Sequence, residues 1–160
     1  MFNILKKQKD ILIYIPARGK VLELDKVPDE VFASRMIGDG IAFLPHNGII
    51  KAPCDGKIVQ IFPTNHALGL VTREGLEIMI HMGVDTVELK GEGFERLIKE
   101  QQEVKKGDSL MRMDLELIKE KGKDIITPII ITNMERVKSI SPSNMNKLVE
   151  DEVIMKIKLK

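Results

Sequence analysis

The chain has 160 residues, with 25 Lys and Arg against 24 Asp and Glu and a net charge of +1. So even a balance leaves no broad field to hold nucleic acid or an anionic membrane, and five Phe, one Tyr and no Trp offer no platform for stacked bases. The single cysteine, Cys54, excludes an internal disulfide, and no apolar run approaches the roughly 20 residues of a spanning helix. A soluble, cytoplasmic protein without a signal peptide is expected, long enough to bury a real core.

Residues 1–10, MFNILKKQKD, set Phe2, Ile4 and Leu5 against Lys6, Lys7 and Lys9. They read as a flexible N-terminal segment ahead of one domain spanning 11–160. ILIYIPARGKVLEL reads as two short strands split by a Pro-Ala-Arg-Gly turn. Residues 29–36 follow Pro28 and carry acids at their start, which predicts a short helix. Beyond it come brief Val- and Ile-rich runs broken by Gly-containing turns at 38–40, 47–48, 54–56, 73–75, 91–93 and 106–108. Turns spaced this closely predict an all-β sandwich or barrel. DLELIKEK, at 114–121, predicts a helix with Asp114 as N-cap and Gly122 just past its end. Residues 127–133 and 152–159 read as strands, the terminal KIKLK as an edge strand blunted with lysines. No repeat, low-complexity tract or long linker divides the chain.

The stretch 62–93, FPTNHALGLVTREGLEIMIHMGVDTVELKGEG, carries two of the three histidines. From Leu76 the pattern alternates, with Leu76, Ile78 and Ile80 on one face and Glu77, Met79 and His81 on the other. The same parity groups Thr64, His66 and Leu68 on one face of the preceding segment. Arg73-Glu74-Gly75 suits a three-residue hairpin loop. Pairing then joins residues whose numbers sum to about 148, placing His66 near Met82 and His81 near Ala67. Both imidazoles thus fall at the same end of one strand pair. Two histidines converging on an outward face have no core to fill and call for a chemical role.

TNHA, a hairpin and IHMGVDTVELKGEGF at 80–94 resemble the signature of the glucose-type IIA component of the bacterial phosphoenolpyruvate-dependent sugar phosphotransferase system. The resemblance extends to VFASRMIGDGIAF (31–43), APCDGKIVQIFPTNHA (52–67), EVKKGDSLMRMD (103–114) and TPIIITNM (127–134). It covers roughly residues 15 to 158, with its blocks in the family's order. It implies an all-β fold, an antiparallel β-sandwich with a few short helices. It also implies a phosphotransferase working through phosphohistidine: His81 matches the phosphorylated histidine, His66 the second histidine and Thr64 the threonine that positions it. The chemistry suits these residues. A neutral imidazole offers one free ring nitrogen as nucleophile near neutral pH, a second imidazole can donate an N–H to phosphoryl oxygens, and a hydroxyl can fix that second ring's tautomer.

A phosphocarrier meets two proteins in succession and needs a shallow, adaptable apolar surface. Phe62, Met79 and Met82 are the candidates to ring the histidines. Asp39 and Asp85 match family acids near the site and would meet basic residues of a partner. The implied partners are the phosphocarrier protein HPr as donor and the IIB domain of a membrane sugar permease as acceptor, with regulatory proteins as further targets. A stand-alone monomer is expected, with no cofactor and no metal; no Gly-rich loop ending in Lys-Ser/Thr implies a nucleotide. His46, in LPHNG, reads as a solvated turn residue and Cys54 as packing. Two other readings stand beside this one: a zinc hydrolase built on His46, His66 and His81, and a binding module without chemistry. The first lacks the HxH spacing and a clear third ligand. The second would gain no acid-labile phosphate.

Overall fold

A computed structural model describes residues 9–160. The N-terminal segment at residues 1–10 therefore falls almost wholly outside that span. The chain opens with β1 (Ile11–Tyr14) and β2 (Gly19–Glu23), passes a 3₁₀ turn at Leu24–Lys26 and enters the short helix α1 (Glu30–Ala33). It continues through β3 (Asp39–Pro45), β4 (Ile49–Lys51), β5 (Gly56–Ile61), β6 (Ala67–Val71) and β7 (Glu77–His81). A second 3₁₀ turn, Thr86–Leu89, leads to β8 (Phe94–Arg96), β9 (Glu103–Val104), β10 (Ser109–Met113) and α2 (Leu115–Glu120). After β11 (Thr127–Ile131) and a third 3₁₀ turn at Met134–Arg136 come β12 (Val137–Pro142), β13 (Leu148–Val149) and β14 (Val153–Leu159).

The strands form an eight-stranded sheet in the order β13-β2-β3-β11-β7-β6-β5-β9 and two three-stranded sheets, β1-β14-β12 and β4-β10-β8. Every strand pair within them is antiparallel. Among the described residues this is the expected all-β fold, with two short α-helices. Among the described residues no helix is long and apolar enough to cross a membrane.

The main core collects inward residues from all three sheets, including Ile13, Phe43, Ile50, Ile58, Leu70, Ile78, Ile80, Met111, Ile129 and Ile157. A smaller core lies over the other face of the large sheet. There Leu24, Val27 and Phe32, from the segment holding α1, close over Ala42, Ile126 and Ile130, with Met79 packed at the margin. This second core explains why β11 is buried at every residue: it is flanked by β3 and β7 and covered on both faces. Full burial of a side chain the size of Phe32 is worth about 2–3 kcal/mol, so the cover is held mainly by its apolar underside.

Both helices are capped, α2 by the Asp114 expected from the sequence and α1 by Asp29. The Asp29 carboxylate accepts from Val31 N at 2.9 Å, and the Asp114 carboxylate accepts from Leu117 N at 3.2 Å. Two sequence expectations are corrected. The triplet at 38–40 is no turn, because Asp39 and Gly40 already belong to β3 and pair with Ile131 and Ile130. KIKLK is no edge either, since β14 is the central strand of its sheet, flanked by β1 and β12. Lys156 and Lys158 are exposed on its outer face while Met155 and Ile157 enter the core. Alternation of that kind solvates a face and looks the same in sequence as a charged edge.

Candidate functional site

The β6–β7 hairpin is built as its sequence requires. Its loop is closed by Thr72 N donating to Leu76 O at 3.0 Å and Gly75 N donating to Thr72 O at 2.9 Å. Gly75 takes a φ of +91°, a conformation that only glycine enters freely. The register pairs Ala67 with His81, Leu68 with Ile80 and Gly69 with Met79, so the numbers sum to 148 as expected. The Asn133 side chain ties this hairpin to the end of β11: its Oδ1 accepts from Glu77 N at 2.9 Å and its Nδ2 donates to Gly75 O at 2.8 Å.

The two imidazoles meet at the open end of that hairpin, ring centroids 5.0 Å apart and planes at 77°. Strict alternation would have sent them to opposite faces, since His66 shares the parity of Leu68 and Met82 while His81 shares that of Ala67. The ladder stops at the Ala67–His81 pair, and the chain before it turns back. Phe62 N donates to Ala67 O at 2.9 Å, Asn65 N donates to Phe62 O at 2.7 Å, and Asn65 takes a left-handed φ of +61°. That turn frees the His66 ring from the strand period. His66 is only 4% exposed, which corrects the expectation that both histidines lie outward; His81 is half-buried. The Phe62 ring packs edge-on against His66 at 5.5 Å, and Phe32 lies 4.7 Å from the His81 ring.

Each ring is held through Nδ1. His81 Nδ1 lies 2.7 Å from Gly83 O; a carbonyl can only accept, so Nδ1 carries the proton and a neutral ring has its lone pair on Nε2. His66 Nδ1 lies 2.5 Å from Thr64 Oγ1, a hydroxyl able to donate or accept. Among the described residues neither Nε2 has a hydrogen-bond partner, and no buried side-chain N or O is left unpaired, so both Nε2 atoms reach solvent. Burial lowers the pKa of His81, opposed by the Gly83 hydrogen bond and by the charges of Asp29 and Asp85. Burial, and then the neighbouring His81, bring His66 down to about 4. Both rings are therefore neutral at neutral pH. The arrangement presents one unprotonated nitrogen as a nucleophile with a second imidazole beside it.

The other expected residues divide. Thr64 and Phe62 are in contact with His66. Met79 is half-buried on the same strand face as His81, at the margin of the small core. Asp85 is exposed, in a left-handed turn with φ of +57°, and its charge is felt at His81. Met82 is a correction: it is 0% exposed and belongs to the main core, because its parity is that of Ile80. Asp39 is held by Arg35, whose Nε donates to its Oδ1 at 2.9 Å, and Asp29 rather than Asp39 stands with Asp85 as a charge acting on His81.

Phe32 and Asp29 were missed in the sequence, although the helix carrying them was read; an N-cap and a core phenylalanine give no separate signal of proximity to a distant histidine. Four exposed apolar residues also belong here. Val31, Met36, Ile37 and Val87 lie on the two segments that flank His81, and Met36 is 72% exposed. His46 is exposed in the turn after β3, and no group of three or more His, Cys, Asp or Glu side chains gathers for a metal among the described residues. Cys54 is buried, which pushes its thiol up to about 12, as a packing residue requires.

Fold and site define an antiparallel β-sandwich that presents a neutral histidine pair at the end of one hairpin. The family model for the phosphoenolpyruvate-dependent sugar phosphotransferase system, EIIA 1, matches residues 11–137. The chain is 48% identical over 141 residues to the PTS system glucose-specific EIIA component of Borreliella burgdorferi, covering 88% of this chain and 75% of that one. It is 42% identical over 153 residues to the PTS system glucose-specific EIICBA component of Staphylococcus saprophyticus, covering 96% of this chain and 22% of that much longer protein. The solved structure of glucose permease IIA from Mycoplasma capricolum superposes with a TM-score of 0.89 at 40% identity, covering 94% of this chain and 97% of that one. The chain belongs to the EIIA 1 family of the sugar phosphotransferase system, as a glucose-type IIA component. Its place is in the phosphoryl transfer of that system.

Proposed function

We propose that His81 accepts a phosphoryl group on Nε2 from the phosphohistidine of HPr and passes it to the cysteine of a IIB domain. The observation that carries this reading is the Nδ1–H of His81 committed to Gly83 O, which leaves the Nε2 lone pair free beside His66. In the first step that lone pair attacks phosphorus in line. The donor's P–N bond breaks, and its electron pair returns to the donor imidazole, which takes up a proton. In the second step the thiolate of the IIB domain attacks phosphorus, and the electrons of the N–P bond return to His81 Nε2. Each half is a displacement through a covalent intermediate, so the kinetics are ping-pong.

His66 supplies the stabilising donor. With the Thr64 hydroxyl donating to its Nδ1, a neutral His66 carries its proton on Nε2, where it can bond a phosphoryl oxygen of the intermediate. Asp29 and Asp85 would meet basic side chains of the partners, and the apolar rim from Val31 to Ile37 and at Val87 would bury against them. Relatives in which an EIIA unit is joined to EIICB components support a IIB partner. The reading implies a cytoplasmic location, where donor and acceptor are found together.

The test is incubation of the protein with phosphoenolpyruvate, enzyme I and HPr. One acid-labile phosphoryl group per chain is expected, lost when the IIB domain is added. A protein that binds HPr but gains no phosphate is a docking module, and the relay reading fails.

A further inference from the structure

We propose that Thr86 is a positioning residue for His81, setting that ring's tautomer through the turn that follows it. The inference rests on the reading of His81 as phosphoryl acceptor. Thr86 is fully buried, a polar side chain that no core needs. Its Oγ1 donates to Met82 O at 2.6 Å, spanning the 82–86 turn from the inside. Met82 also donates its own N–H to His66 O at 2.7 Å, so the residue that follows His81 is fixed at both its backbone groups. Val84 N donates to Asp124 O at 3.0 Å and fixes the next segment of the turn. Between these two anchors lies Gly83, whose carbonyl receives the Nδ1–H of His81.

Gly83 leaves no room for a side chain. It takes a φ of +82°, and a Cβ there would come within 2.5 Å of the Thr86 methyl and 2.8 Å of Asp124 O. The methyl of Thr86 thus fills the space beside Gly83, while its hydroxyl holds the preceding carbonyl. Both groups on one β-carbon bear on the same turn. Removing the hydroxyl leaves Met82 O buried without a partner and releases the peptide that precedes Gly83. The Gly83 carbonyl then no longer competes reliably for the Nδ1 proton, and the proton can occupy Nε2, where it blocks the nucleophile.

The experiment is nitrogen-15 NMR of the histidine rings in the free, full-length protein at about pH 8, above the imidazole range. The native His81 is expected as the Nδ1–H form alone. Thr86→Val should move its Nε2 resonance toward the protonated position and slow phosphoryl acceptance by roughly tenfold, the scale of one lost hydrogen bond. Thr86→Ser, which keeps the hydroxyl, should restore the native ring signals. If Thr86→Val does not fold, Thr86→Ala is read in the same way. A native His81 found with its proton on Nε2, or a folded Thr86→Val or Thr86→Ala that retains the pure Nδ1–H form, overturns the proposal. The ring signals need no phosphoryl donor. A protein with the expected tautomer that takes no phosphate would refute the relay and leave only the control of the His81 tautomer by Thr86.

Discussion

His81 forms the last rung of one β-ladder with Ala67 and His66 lies just beyond it, their ring centroids 5.0 Å apart, each anchored at Nδ1 by a different kind of partner. A carbonyl fixes the proton on His81 Nδ1, whereas a hydroxyl leaves His66 free to be the donor. The two rings are chemically alike and are assigned different roles by what touches their inner nitrogens. That asymmetry separates two halves of one reaction. His81→Ala should accept no phosphoryl group from HPr. His66→Ala should still be phosphorylated but fail to hand the group to a IIB domain, and efficient donation by that variant would remove His66 from the mechanism. Labelled phosphate followed through both half-reactions reads the difference.

Thr64→Val should affect His66 and spare His81. The lost hydrogen bond is partly buried, so the expected destabilisation is about 1 kcal/mol, seen in urea unfolding. With the hydroxyl gone, the His66 proton is no longer directed to Nε2, and onward transfer should slow by roughly tenfold while acceptance changes little. Equal slowing of both halves would place Thr64 in general support of the hairpin instead.

The way the site assembles also marks how far the sequence could be read. The hairpin register was legible because a three-residue loop containing Gly75 fixes the pairing sum, and the buried positions of β7 were legible from their period of two. The orientation of His66 was not, because it depends on Asn65 leaving the strand conformation just before the ladder begins. Met82 was expected on the docking rim for its adaptable side chain, but one residue beyond His81 that side chain enters the main core. Asp29 and Phe32 reach His81 only through the second core, which folds α1 over the large sheet. No local pattern announces a contact made across about fifty residues of chain.

The pH dependence of stability follows from the depressed pKa values. An imidazole unperturbed in the unfolded chain titrates near 6.5, while His66 in the folded protein titrates at about 4. Below 6.5 the unfolded chain binds a proton that the folded site refuses, so stability is fully present above that pH and is lost progressively as pH falls toward 4. His81 is lowered too and adds to the loss in the same direction. Thermal unfolding across this window should show a steeper fall for the native protein than for His66→Gln. Parallel curves would mean that His66 is not kept neutral by folding.

Met36 tests the apolar rim apart from the chemistry. It is 72% exposed, so Met36→Glu should leave stability within about 0.5 kcal/mol of native. Losing an apolar anchor at a docking surface should raise KM for phospho-HPr by about tenfold with kcat unchanged. A fall in kcat at constant KM would place Met36 in the chemistry and not in docking.

The most direct measurement is mass spectrometry of the protein after phosphorylation by phosphoenolpyruvate, enzyme I and HPr, with peptides kept at alkaline pH to preserve the P–N bond. The account predicts a single phosphoryl group, on the peptide fragment containing His81 and assigned to that ring. Phosphate on His66, on His46 or on a hydroxyl, or a chain that stays unmodified beside fully charged HPr, would contradict it.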